Sequence, residues 1–67
     1  MLRQGVKSSD LLSVGYHSGT LEIEFKNNSI YQYLDVPEYI YHELVNSDSK
    51  GKYFNQNIRN IFRCMKI

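Results

Sequence analysis

Tryptophan is absent from this chain, and proline and cysteine occur once each. A single cysteine, Cys64, rules out an internal disulfide, and without a CxxC pair or a Cys/His cluster it offers none of the usual zinc frameworks. A lone thiol fits a reducing compartment, so a cytoplasmic location is expected. No run approaches the roughly 18 apolar residues that a membrane span needs. Met1 to Asp10 carries charge without a long apolar stretch, so no leader segment is expected there. Repeats, low-complexity tracts and Pro/Gly-rich linkers are also missing, which points to one soluble domain over residues 1–67.

A chain of 67 residues buries only about 60% of its unfolded surface, so the core must be small and densely packed. The six tyrosines and three phenylalanines supply that density. Net charge is only +1, but its distribution is uneven. All seven acids lie between residues 10 and 49, where Lys26 is the one cation. Residues 50–67 hold Lys50, Lys52, Arg59, Arg63 and Lys66 and no acid, so a basic face opposite an acidic one is expected.

Period-two alternation dominates the first half. Leu21, Ile23 and Phe25 point one way and Thr20, Glu22 and Glu24 the other, as in a half-buried strand. Val14 and Tyr16 alternate with Ser13, Gly15 and His17 in an earlier strand, and Ser18-Gly19 makes the turn between the two. A third strand runs from Ile30 to Leu34. If Asn27-Asn28 were a two-residue turn, Gln32 would enter the core opposite Ile23. If Asn28 is the left-handed residue of a three-residue loop, Phe25 pairs with Ser29, Tyr31 with Ile23 and Tyr33 with Leu21, and Gln32 stays outside beside Glu22. The second register avoids burying an amide and is preferred.

The second half has helical period. Asp35-Val36-Pro37-Glu38 reads as a capped helix start, with Val36, Ile40 and Leu44 as its apolar stripe and Tyr39 off it. Ser49 is a second N-cap candidate. Phe54, Ile58, Ile61, Phe62 and Met65 follow at helical spacing, predicting a second helix from Lys50 toward Arg63 with these apolar residues inward. Gly51 weakens its first turn, a cost that a close approach would explain. The predicted architecture is α+β: a three-stranded antiparallel meander packed against two C-terminal helices.

These residues resemble the KTSC domain, a family named for its place at the C-terminus of some lysyl-tRNA synthetases, with free-standing bacterial and phage members. The matching pattern is Val6 with Ser8-Ser9, Val14-Gly15-Tyr16, Leu21-x-Ile23-x-Phe25, Tyr31-x-Tyr33, Val36-Pro37, Tyr41, Leu44, Ser49-x-Gly51-x-Tyr53-Phe54-Asn55 and Ile58-Arg59. Three positions depart from it: Asn28 stands where glycine is usual, Ser47 where alanine is, and His17 where an acid is common. The resemblance implies a compact α+β domain, and RNA as a ligand only through the attachment to a tRNA enzyme.

On the predicted second helix, Lys52, Gln56, Arg59, Arg63 and Lys66 recur at spacings of three and four, so that they would form a cationic strip able to follow a phosphate backbone, with Asn55 beside it for hydrogen bonds. The plain alternative is a solvated helix face. Lys50 and Lys52 flank a helix N-terminus that could seat one phosphate, or simply a capped turn. Tyr31 and Tyr33 are candidate stacking platforms for unpaired bases, or core residues in the preferred register. Ser8-Ser9 suit a turn or cap, and His17 and His42 share no metal spacing. With no nucleophile–base pair, paired carboxylates or cofactor loop, the expectation is a binding module without catalysis, metal or cofactor. Its partner would be RNA or another nucleic acid, or alternatively a larger protein, and the domain itself a monomer or weak dimer.

Overall fold

Strand β3 (Thr20–Phe25) forms the centre of an antiparallel sheet in the computed structural model, which describes residues 1–67. It pairs with β2 (Leu11–His17) on one side and β4 (Ile30–Tyr33) on the other. Ser18 and Gly19, with φ of 48° and 85°, form the two-residue turn between β2 and β3, where positive φ matches the strand twist. Asn28, at φ 71°, is the left-handed residue of the next loop, and Phe25 N–H donates to Ser29 O at 2.9 Å. The register is therefore the preferred one: Tyr31 lies opposite Ile23, Tyr33 opposite Leu21 and Gln32 opposite Glu22.

The sheet has five strands rather than the three read from the sequence. A short β1 (Gln4–Gly5) pairs with β2, and β5 (Cys64–Lys66) with β4, giving the order β1-β2-β3-β4-β5. Both additions are exposed edge strands of two or three residues, too short to show alternation.

Helix α1 (Glu38–Asn46) presents buried Ile40 and Leu44 to the sheet, in line with Val36. Its start differs from the expected capping box. Asp35 takes a left-handed φ of 57°, and Pro37 occupies the N-cap position without a side-chain bond. The first β-hairpin holds Val36 instead: its N–H donates to Gly19 O at 2.8 Å, and its carbonyl accepts from the Tyr16 hydroxyl at 2.6 Å. The Tyr16 ring stacks on Tyr41 of α1 at 5.4 Å.

Helix α2 (Lys50–Asn57) starts after Ser49, as expected, but ends well before Arg63. Asparagines at 55 and 57 favour the helix weakly. The amides of Ile58 and Arg59 both bond to Phe54 O, and Asn60 turns left-handed at φ 63°. Ile58 is fully buried and Phe62 packs against the core, whereas Ile61, expected inside, is 60% exposed. The chain then returns to the sheet, with Leu34 N–H bonded to Arg63 O at 2.8 Å, and Met65 lies exposed on β5. The inward stripe through Ile61 and Met65 does not form, because they lie beyond the helix.

Both helices cover one sheet face, enclosing Leu11, Val14, Leu21, Ile23, Tyr33, Val36, Ile40, Leu44, Phe54 and Ile58. The opposite face carries a polar cluster. Arg3 bonds to Ser13 Oγ at 2.9 Å and pairs with Glu22 and Glu24, while Gln32 Nε2 donates to Glu22 Oε1 at 2.8 Å. Glu22 is thereby held buried with its carboxyl below the usual range, chiefly through the Gln32 hydrogen bond, with burial opposing and Arg3 assisting. No helix is long and apolar enough to cross a membrane.

Candidate ligand groove

On the helical side of the sheet, α2 leaves part of the face toward β4 and β5 uncovered. A groove of about 490 Å³ opens there, within the size range of small-molecule sites. Its sheet side is Leu11, Phe25, Tyr31 and Tyr33, and its helix side is Gly51, Phe54 and Asn55. Arg59 and Asn60, from the turn that ends α2, and Cys64 of β5 complete the far end, and Asp10 stands where β2 begins. A smaller hollow of about 250 Å³ shares Asp10 and Phe25 and reaches Lys26.

The aromatic lining is a connected cluster. Phe54 meets Phe25 and Tyr33 edge-on, with centroids 5.2 and 5.5 Å apart, and Phe25 meets Tyr31 edge-on at 6.0 Å. Tyr33 is a core residue, and burial, with Cys64 and Tyr31 beside it, pushes its phenol up to about 12. It therefore stays a neutral hydroxyl at any physiological pH. Tyr31 and Phe25 are half-buried and offer the accessible ring surface.

The acidic end depends on two close approaches. Ser8 Oγ accepts from the amides of Asp10 and Leu11 at 3.2 Å each, the turn expected at Ser8-Ser9. The Asp10 carboxylate packs directly against Gly51, where a β-carbon would lie 2.5 Å from its Oδ2. This is the close approach that the weak first turn of α2 implied. Asp10 makes no ion pair, the salt bridges of the domain being those of Arg3 and His42. At the other end, the Arg59 guanidinium donates one long hydrogen bond, to Asn55 Oδ1 at 3.5 Å, and lies near enough to Tyr33 for its charge to act on the phenol.

Of the residues singled out from the sequence, the fold brings Tyr31, Tyr33, Asn55 and Arg59 together around this groove. Lys50, Lys52 and Arg63 lie outside its lining: Lys50 Nζ bonds to Ser47 O at 3.1 Å, Lys52 is exposed on α2, and Arg63 is exposed beyond it. Because α2 stops at Asn57, the cations do not form a strip along one helix. Asp10, Phe25, Asn60 and Cys64 join the site without a local pattern to announce them. Only Gly51, costly in a helix, gave a hint.

Comparison with known proteins places the chain. The family model of the KTSC domain matches residues 7–62. The chain belongs to the KTSC domain family. A crystal structure of a KTSC domain protein from Yersinia pestis superposes with a TM-score of 0.94 at 43% identity, covering 98% of this chain and 96% of that one. An uncharacterized protein of Stutzerimonas stutzeri is 40% identical over 58 residues, covering 84% of this chain and 82% of its own. Lysine–tRNA ligases of Nostoc punctiforme and a second Nostoc strain are 43% and 46% identical over 44 residues. Those 44 residues are 66% of this chain but only 8% of either ligase, so the KTSC domain corresponds to a small part of those enzymes.

Proposed function

We propose that this KTSC domain is a binding module for nucleic acid, RNA foremost, and that its groove receives one unpaired base. The observation that carries this is the meeting of Tyr31, Asn55 and Arg59 at one groove. An aromatic face stacks on any base, for about 1–3 kcal/mol per base in single-strand binding sites. Asn and Arg beside it supply hydrogen bonds to base edges and charge for the backbone. Lys50, Lys52 and Arg63, outside the groove, serve as flanking phosphate contacts. In this reading the ligand is held and not transformed. The occurrence of a similar segment in proteins named lysine–tRNA ligases supports RNA as the ligand class.

Titration of isotope-labelled domain with short single-stranded RNA at two salt concentrations tests the proposal. Tyr31, Asn55 and Arg59 should shift, and affinity should fall with salt by the shallow slope of a few phosphate contacts. No RNA or DNA binding at low salt would overturn it. The exposed apolar side chains of Leu2, Leu12, Met65 and Ile67 favour the alternative, a protein-interaction module. Salt-indifferent recovery of one protein partner after nuclease treatment would establish that alternative.

A further inference from the structure

We propose that the groove selects guanine among the bases, with Asp10 and Arg59 as its two readers. This deepens the nucleic-acid reading and rests on it. An ionised carboxylate only accepts hydrogen bonds and a guanidinium only donates them. The groove lining holds one of each, and neither is ion-paired: the salt bridges are those of Arg3 and His42, and the Arg59 guanidinium makes one long hydrogen bond, to Asn55. Asp10 faces Gly51 in the first turn of α2, and Arg59 follows its last turn. The two therefore stand at opposite ends of α2 along one groove, so that a base lying between them meets an acceptor at one edge and a donor at the other.

Guanine is the base with the complementary pattern. Its N1–H and N2–H₂ are adjacent donors that a carboxylate can accept as a pair, and its O6 and N7 are adjacent acceptors that suit a guanidinium fork. Adenine and cytosine place a ring acceptor beside their amino group, so a carboxylate there meets a lone pair. Uracil flanks its one N–H with two carbonyls. The ring itself lies between the two readers, against Tyr31 and Phe25. Gly51 is part of this selection, since any side chain there would push the Asp10 carboxylate aside.

The test is binding of the full chain to short oligouridines that carry one central guanine, adenine, cytosine or hypoxanthine, the last being guanine without its 2-amino group. The guanine oligomer should bind about ten-fold or more tighter than the adenine and cytosine ones, with hypoxanthine between. Asp10→Asn, which keeps the shape but replaces one acceptor with a donor, should abolish the preference, so that the guanine oligomer binds no tighter than the others. Gly51→Ala should also abolish it, by displacing Asp10 through a second, independent change. Equal binding of all bases, or a guanine preference that survives Asp10→Asn, would overturn this inference while the RNA-binding proposal stands. Absence of binding to any oligomer would overturn both.

Discussion

The carbonyl oxygen of Leu2 occupies the space that a side chain on Gly15 would need. Here β1 crosses β2 closely enough to set Arg3 over Ser13 and Glu22. The neighbour is backbone, so it cannot rotate away. Gly15→Ala should lever β1 off the sheet and destabilise the domain by about 1–3 kcal/mol, as overpacking does. Thermal denaturation reads the loss, and hydrogen exchange should show the Val6 amide, bonded to Leu12 O at 3.1 Å, losing protection first.

Tyr16→Phe isolates the bond that holds the start of α1. The ring and its stack on Tyr41 remain, while the 2.6 Å hydrogen bond to Val36 O is lost. The cost should be about 1 kcal/mol, a fall in Tm of roughly 4–8 °C for a domain of this size.

Acid should act through Glu22. Its carboxyl sits below the ordinary value of 4.5 in the folded state, so it contributes stability above that value and loses it as pH falls through the lower folded value. A series of melts at falling pH should therefore show a steeper acid limb for the native sequence than for Glu22→Gln, which has no carboxyl to protonate.

Alkali should act through Tyr33 and Tyr53. Burial pushes both up from 10.0 to about 12, and Tyr53 is further held neutral by donating to Glu43 Oε1 at 2.6 Å. A raised folded value means that their contribution is complete below pH 10 and disappears as pH rises through 12. Near-ultraviolet absorbance should register late-ionising phenols, and Tyr53→Phe should remove one of them.

Arg59→Ala separates binding from folding. The backbone N–H of Arg59 bonds to Phe54 O at 2.9 Å and survives the change, and the exposed side chain makes no ion pair and one long hydrogen bond, to Asn55. Folding stability should move by less than about 0.5 kcal/mol, while RNA affinity drops several-fold in a fluorescence or NMR titration.

Much of the fold could be read from residues 11–46. There the alternation around Ile23 and the avoidance of a buried Gln32 fix the register, and the Val36, Ile40 and Leu44 stripe fixes the face of α1. The ends were less legible for a common reason. β1 and β5 take their structure from the strands beside them rather than from their own side chains, and both lie outside the residues 7–62 matched by the family. The apolar spacing after Phe54 imitates a longer helix, although Ile58 alone is needed inside and Asn60 turns the chain. Within the site, Tyr31, Tyr33, Asn55 and Arg59 stood out by chemistry. Asp10 did not, because its partnership with Gly51 spans the whole β-meander and α1, and no local periodicity encodes it.

The return of β5 to β4 also has a temporal side. Tyr33 pairs with Cys64, a contact that cannot exist until both helices have been synthesised. During translation the meander and α1 leave the ribosome first, with one edge of Tyr31 and Tyr33 unprotected. The sheet edge at Tyr31 and Tyr33 is thus the last to close, and its cover waits on residues that follow both helices.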